Sequence, residues 1–166
     1  MNGPASGLEV EGHDETTSGF GVEHWGEVAE RTLMDEGVVI GHLDLFFVEP
    51  DVIAELNVEH LGHEGPTDVL AFPLDGPTAA DPTGRMELMS AGLPPHLGDV
   101  VICPAVAAEQ AAEHTGAVDA ELTLLVVHGV LHVLGHDHAE PDEARQMQER
   151  ERHHLLRHGF SHPVLP

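Results

Sequence analysis

The stretch from Val127 to Ala139, Val-His-Gly-Val-Leu-His-Val-Leu-Gly-His-Asp-His-Ala, decides where this chain places its chemistry. Residues four apart lie on one face of a helix, so His128 and His132 can point at one ion. Gly135 is suited to end that helix, because glycine adopts the left-handed backbone geometry common just after helix C-termini. The chain can then turn back and bring His138 to the same point. Three imidazoles with one open position are typical of a catalytic zinc site.

The setting of the two helical histidines favours a metal site over a pair of hydrogen-bonded core residues. The run from Leu122 to Leu134 is apolar nearly all round, which predicts a buried helix. An unpaired polar group in such a helix costs roughly 1–3 kcal/mol. His136 competes with His138 as the third ligand, although the spacing favours His138. Asp137 either orients a ligand imidazole or is a solvated turn residue.

The spacing of the histidines is that of the metzincin proteases, H-E-x-x-H-x-x-G-x-x-H, with one change. Gly129 stands where those proteases carry their glutamate general base. A bound zinc ion would lower the pKa of its water toward about 7 and polarise a substrate oxygen, which supports hydrolysis of a peptide or of a phosphodiester. The missing carboxylate speaks against the standard peptidase, but a base from elsewhere in the chain remains open.

The composition predicts one acidic globular domain. The chain has 166 residues, of which 41% are hydrophobic, enough for one domain with a core. Six basic residues, all arginine, face 30 acidic ones, for a formal net charge of −24. Such a surface repels nucleic acid and anionic membranes over most of its area. The acidity indicates either adaptation to a salty cytoplasm or a face for a basic partner. The even spread of the acids favours salt adaptation.

Further observations limit the compartment and the kind of metal site. Cys103 is the single cysteine, so neither an intrachain disulfide nor a cysteine-built zinc site is expected. The N-terminus lacks a basic segment followed by an apolar run, and no stretch of about 18 apolar residues occurs. These features predict a soluble, cytoplasmic protein without a membrane partner.

Hydrophobic periodicity predicts the order β, α, β, α, β, loop, β, α, α, α, which is typical of a single α+β domain with a small sheet covered by helices. The predicted strands cover residues 8–12, 38–48, 67–74 and 97–103, and the predicted helices cover 23–36, 50–61, 104–115, 119–134 and 143–158. Residues 1–20 are expected to form a flexible segment with one possible short strand. Residues 21–158 form the domain, with a long loop at 76–96, and residues 159–166 form a tail.

Three motifs occur together, in the same order as in a known family. His128–His138 fits H-G-x-L-H-L-x-G-Y-D-H, Pro66–Pro73 fits P-T-D-V-L-S-F-P, and Leu97–Val100 fits L-G-D-[IV]. Leu56-Asn57 fits the L-N pair that precedes the second motif. On these motifs the chain resembles the YbeY family of bacterial endoribonucleases for rRNA maturation, over roughly residues 20 to 158.

The resemblance implies a zincin-like α+β fold with a small mixed sheet of about four strands. It implies a zinc-dependent endoribonuclease, specific for single-stranded RNA, that acts in 16S rRNA processing, ribosome maturation and quality control. His128, His132 and His138 would hold one Zn²⁺ ion. The implied partners are ribosomal RNA and the small ribosomal subunit, with ribosomal proteins or an assembly GTPase as further candidates, and no DNA.

Three carboxylates are the nearest candidates for proton transfer or ligand orientation, namely Asp68, Asp99 and Asp137. Asp68 and Asp99 are equally well explained as structural caps or turn residues.

Two departures from the family pattern matter for function. Many members carry Tyr-Arg where this chain has His60 and Leu61, so an arginine that would stabilise developing negative charge is missing unless Arg85 replaces it. His136 stands in place of the family tyrosine.

Two alternatives to an endoribonuclease stay open. They are a metallopeptidase-like hydrolase with a displaced base, and a non-catalytic ribosome-associated factor whose structural metal is closed by a fourth ligand such as His136.

The last predicted helix holds four of the six arginines, Arg145, Arg150, Arg152 and Arg157. They form either a small basic patch or ion pairs with Glu143, Glu149 and Glu151 on a solvated face, and the ion pairs are favoured.

Overall fold

The computed structural model describes residues 7–17, 19, 21–74 and 95–165. These residues form one α+β domain with a four-stranded mixed sheet and five helices, which confirms the predicted fold class. The elements in chain order are β1 (Leu8–Asp14), α1 (Glu23–Asp35), β2 (Gly41–Phe47), α2 (Pro50–Leu61), β3 (Val69–Pro73), β4 (His96–Ile102), α3 (Pro104–Ala111), α4 (Val118–Val133) and α5 (Pro141–Arg157).

The sheet has the strand order β1-β2-β4-β3. The β1–β2 and β2–β4 pairs are parallel, whereas β3 pairs antiparallel with β4 and forms one edge. Gly98 lies where the β2–β4 register shifts and has a φ of +155°. A Cβ atom at this position would come within 2.6 Å of the Phe72 carbonyl oxygen on β3. The glycine of the Leu-Gly-Asp motif is therefore needed for strand pairing.

One face of the sheet carries the main core. Side chains alternate along a strand, so Leu43, Leu45 and Phe47 of β2 all point to this face and are fully buried. Trp25 and Leu33 of α1 belong to the same cluster, together with most of α4. Because nearly every residue of α4 from Ala120 to Val133 is buried, this helix is the central support of the domain, as the apolar run predicted.

Gly135 ends α4 as expected, with a φ of +102°. The Gly135 N–H donates to the His132 carbonyl, and the His136 N–H donates to the Leu131 carbonyl, each at 3.0 Å. These bonds satisfy carbonyls at the helix end and reverse the chain toward His138.

Among the residues that the structure describes, α2 packs against the other face of the sheet at one end. Ile53 of α2 packs with Leu70 and Val101 in a second, smaller cluster. Asn57 is buried, and its side-chain Nδ2 donates to the Gly65 carbonyl at 3.0 Å. The Leu-Asn pair therefore ties the end of α2 to the loop that leads into β3.

Several predicted boundaries differ from the structure. The segment 1–20 contains β1, which is a full strand of the sheet because it pairs with β2 along its whole length. The predicted strand at 67–74 begins at Val69, whose N–H is bonded to the Asp68 side chain. Most of the predicted loop at 76–96, including Arg85, lies outside the described residues. None of the described helices combines the length and apolar character needed to cross a membrane.

Candidate metal centre

The structure brings His128, His132 and His138 together. One ring nitrogen of each lies within 4.8 Å of the others. The ring centroids are 4.5 Å apart for His128 and His132, 5.1 Å for His132 and His138, and 5.9 Å for His128 and His138. Two rings come from one face of α4, and the third comes from the turn that Gly135 starts.

Glu151 of α5 orients one of these rings. Its Oε2 lies 2.5 Å from His128 Nδ1, and its Oε1 accepts a hydrogen bond from His162 Nε2 at 2.9 Å. The Val164 and Leu165 N–H groups both donate to His162 Nδ1, so the neutral His162 ring carries its proton on Nε2. The carboxylate thus accepts from both rings, which leaves His128 Nε2 as a lone-pair donor.

The chemistry of this cluster fits a metal ion. Burial acts to raise the pKa of Glu151, but the hydrogen bonds from His128 and His162 lower it. Glu151 is therefore a charged partner. Burial, together with the positive charge that His128 and His138 carry when protonated, lowers the pKa of His132. Neutral imidazoles held by a carboxylate are the usual form of histidine metal ligands.

Gly129 allows α4 to approach the sheet closely. A Cβ atom at this position would lie 2.5 Å from Val100 Cγ1 on β4. The glycine that replaces the protease glutamate is therefore required by the packing of α4 against β4. A glutamate general base cannot be accommodated at this position with the present spacing of helix and strand.

A groove of about 520 Å³ runs beside the histidines. Its walls are α4 and the edge strand β3, with His60 and Leu61 at the end of α2. Among the residues that the structure describes, Asp68 is the one carboxylate that lines it, and no arginine does. Leu61, where the family arginine is missing, lines this groove and is 55% exposed.

The three candidate carboxylates occupy different places. Asp68 lines the groove, with Oδ2 accepting from Gln110 Nε2 at 2.7 Å and Oδ1 accepting from the Val69 N–H at 2.8 Å. Asp137 accepts from the His138 N–H at 2.7 Å and so shapes the turn that carries the third histidine. The structure does not bring Asp99 to the histidines. Val100 faces Gly129 of α4, so the adjacent Asp99 faces the opposite side of the sheet.

The remaining sequence candidates lie elsewhere. His136 approaches Glu36, with 3.7 Å between Nε2 and Oε1, and the third imidazole of the cluster is that of His138. Arg150 pairs with Glu36 and Arg157 with Asp35 on the α1 side, while Arg152 pairs with Glu149 as expected. The prediction that Glu151 lies on a solvated face is wrong, because Glu151 is buried behind His128.

Sequence reasoning missed Glu151 and His162. A signal for Glu151 was available, because Met147, Glu151 and Leu155 recur every four residues on one face of α5 and all three are buried. His162 lies beyond the last helix in the predicted tail, where no periodicity marks it.

The profile of a family described as "Endoribonuclease YbeY" matches residues 13–159. The chain belongs to the YbeY endoribonuclease family. It is thereby assigned to the endoribonucleases, hydrolases that act on RNA, as the three motifs predicted.

Curated relatives named "Endoribonuclease YbeY" support the same assignment. The protein of Salinispora tropica is 48% identical over 122 residues, 72% of this chain and 76% of the relative. The protein of Kineococcus radiotolerans is 43% identical over 132 residues, 78% of this chain and 72% of the relative. The chain spans about half of the Frankia casuarinae protein, 52%, with 46% identity over 108 residues.

The fold is similar to that of a solved structure. The solution structure of TM1509 from Thermotoga maritima superposes with a TM-score of 0.60 at 27% identity. The match covers 88% of this chain and 86% of TM1509.

Proposed function

We propose that this YbeY family member is a zinc-dependent endoribonuclease that cleaves single-stranded RNA during 16S rRNA processing, ribosome maturation and quality control. The observation that carries the proposal is the cluster of three imidazoles beside the β3 groove, with one ring fixed by a buried carboxylate. Ribosomal RNA and the small subunit in the cytoplasm are the proposed partners, with ribosomal proteins or an assembly GTPase as further ones.

His128, His132 and His138 would hold the metal, with His128 binding through Nε2 because its Nδ1 faces Glu151. Zinc in such a site lowers the pKa of a coordinated water toward about 7 and polarises a phosphoryl oxygen. Histidine ligands and a fixed carboxylate suit this borderline ion.

Asp68 is the proposed proton acceptor in the groove. Gln110 and the Val69 N–H each bind one carboxylate oxygen of Asp68 and fix its direction. The Thr67 hydroxyl also donates to Oδ1 at 3.4 Å, so Oδ2 is the oxygen that keeps a further lone pair for a proton or for a water molecule. Asp137 is a positioning residue in this scheme, because it acts through the backbone of His138. Asp99 has no role in it, since it faces the other side of the sheet.

Binding of the polyanionic substrate is the step in which this chain differs from many relatives. No arginine among the described residues lines the groove. The weakly charged walls predict modest RNA affinity and strong dependence on the metal for holding the phosphate. Leu61 is the position from which a cation would reach the groove.

The test is cleavage of single-stranded rRNA fragments by the zinc-loaded protein. We expect cleavage by the wild type, none by His132→Ala, and several-fold faster cleavage by Leu61→Arg. Leu156→Arg is a matched control, because Leu156 is equally exposed at 56% but lies on α5, outside the groove. Absence of cleavage by the zinc-loaded wild type, or full activity of a folded His132→Ala variant, would refute the proposal.

A further inference from the structure

A second cluster of histidines lies on the face of the sheet opposite α4. Leu43 and Leu45 of β2 point into the main core. Because side chains alternate along a strand, His42 and Asp44 point to the opposite face. His96 of β4 is the register partner of His42 on the neighbouring strand. Three side chains that bind metals well thus meet on this face, at the end away from α2.

The spacing of their donor atoms matches a metal site. Asp44 Oδ2 lies 3.2 Å from His42 Nε2 and 3.1 Å from His96 Nε2, and one donor atom of each residue lies within 4.8 Å of the others. Ligands bound tetrahedrally at about 2.0–2.1 Å from one ion are about 3.3 Å apart. An ion between these atoms requires only small movements of the rings.

Neighbouring groups hold these candidate ligands in orientation. Glu9 Oε1 lies 3.1 Å from His42 Nδ1, so Nε2 is the His42 nitrogen that would bind the ion. His13 Nε2 lies 2.9 Å from Asp44 Oδ1, so Asp44 Oδ2 is the oxygen available to an ion. The His13 ring is itself stacked on Phe46 at 4.6 Å. Carboxylate contacts to ligand imidazoles and hydrogen bonds to ligand carboxylates are typical of built metal sites.

The local charge also favours a cation. Glu9, Glu11, Asp44 and Asp99 surround the imidazoles of His13, His42 and His96, and no arginine of the described part of the chain pairs with these carboxylates. Asp99 Oδ1 is 3.4 Å from His96 Nε2, and Glu11 Oε1 is 3.9 Å from His42 Nε2, so either carboxylate can supply an additional oxygen. The four carboxylates outnumber the three imidazoles and give the group an excess of negative charge, which a divalent ion would neutralise.

We propose that His42, Asp44 and His96 bind a second divalent transition-metal ion of the Zn²⁺ or Co²⁺ type, with Asp99, Glu11 or solvent completing its coordination. A mixed nitrogen and oxygen donor set selects such ions over Mg²⁺ or Ca²⁺, which prefer oxygen alone. The ion would join β2 to β4, and through Glu11 to β1, so its role is to stabilise the sheet.

The test counts metal ions bound by the full chain at pH 8, after chelator treatment, by Co²⁺ absorption and Zn²⁺ calorimetry. We expect two ions for the wild type, one for His132→Ala, one for His42→Ala/His96→Ala, and none for the triple variant. His24→Ala replaces an exposed histidine on α1 and should still bind two. If His42→Ala/His96→Ala binds as many ions as the wild type, the proposal is refuted, whatever the ribonuclease assay gives.

Asp44→Asn in the His132→Ala background provides a second readout if the double alanine variant does not fold. The amide keeps the shape of the side chain but removes the anionic ligand. We expect Co²⁺ affinity to fall at least about tenfold, and Zn²⁺ to raise the melting temperature less than in His132→Ala alone. Equal Co²⁺ affinity of the two proteins would overturn the assignment of Asp44 as a ligand.

Discussion

Glu151 accepts two hydrogen bonds from two imidazoles, and no neutral side chain of the same shape can do so. Glutamine offers one acceptor oxygen and one NH₂ group, so either His128 or His162 would face a donor. We expect Glu151→Gln to weaken zinc binding by about 10- to 100-fold and to slow RNA cleavage in parallel. Competition with a chromophoric chelator measures the affinity.

The control for this change is Glu149→Gln. Glu149 is exposed on the same helix and pairs with Arg152 at 3.6 Å. The Glu149→Gln variant should bind zinc as tightly as the wild type does. Wild-type zinc affinity in a folded Glu151→Gln variant would show that the carboxylate does not orient His128 for the metal.

Gly129 is predicted to be a packing requirement. Alanine gains about 1 kcal/mol of helix propensity over glycine, but its Cβ would lie 2.5 Å from Val100 Cγ1. Overpacking of a core typically costs roughly 1–3 kcal/mol. This cost should outweigh the gain in helix propensity, because positions 100 and 129 are both fixed in the core. We expect Gly129→Ala to lower the free energy of unfolding by about 1 kcal/mol, measured by urea titration, and Val100→Ala in the same chain to relieve the clash.

Gly26→Ala is the matched control for that experiment. Gly26 is also helical, but a Cβ atom there meets nothing within 4 Å. It should stabilise the protein by roughly 0.5–1 kcal/mol. Stabilisation by Gly129→Ala of the same size would show that α4 does not need the glycine.

At the scale of elements, the carboxylates of Asp35 and Glu36 join α1 to α5. Glu36 follows α1 and accepts from Arg150 Nε at 2.8 Å and from His154 Nε2 at 2.6 Å, with His136 nearby. Burial acts to raise its pKa, but His154 and Arg150 prevail and lower the pKa to about 2. A lowered carboxyl pKa stabilises the fold above pH 4.5, and this contribution is lost as the pH falls toward 2.

Glu36→Gln should therefore reduce the free energy of unfolding at pH 6 by at most roughly 3 kcal/mol. The difference from the wild type should shrink as the pH is lowered from about 4.5 to 2.5. Urea titrations across this range measure it, with Glu59→Gln on the exposed face of α2 showing the effect of removing one surface charge. A difference that is independent of pH would contradict the assigned pairing.

The elements themselves could largely be predicted from sequence, because their hydrophobic periodicity is local. The apolar run of α4 and Gly135 predicted both the buried helix and its end. The full extent of β1 could not be predicted, because it depends on pairing with β2, which lies far along the chain. The direction of Asp99 could not be predicted for the same reason, since it depends on Val100 packing against Gly129 of another element.

In the candidate metal centre, too, contacts between residues close in sequence could be predicted, whereas contacts between distant residues could not. His128, His132 and His138 lie close together in the sequence, so spacing was enough to predict that they meet. Glu151 and His162 reach the cluster through the docking of α5 and of the chain after it, which no local pattern encodes. The four-residue spacing of Met147, Glu151 and Leu155 indicates the buried face of α5, but the contact of Glu151 with His128 depends on how α5 packs.

At the scale of the whole molecule, the net charge of −24 has the widest influence on stability. Self-repulsion of such a surface opposes the compact state and is screened by salt. We expect the free energy of unfolding to rise by on the order of 1 kcal/mol or more between dilute buffer and molar potassium chloride. Near pH 4.6, the sequence pI, the gain should be much smaller. Equal stability in both buffers at neutral pH would contradict salt adaptation.

The contact between Gly129 and Val100 also bears on how this chain can evolve. The metzincin motif and the motif of this chain differ by one fixed residue between two shared histidines. That substitution is nevertheless not reachable in one step. A glutamate at position 129 would need a smaller residue at position 100 and a retreat of α4 from the sheet. The close packing of α4 against the sheet thus opposes evolutionary exchange between two classes of enzyme that share the spacing of their metal-binding histidines.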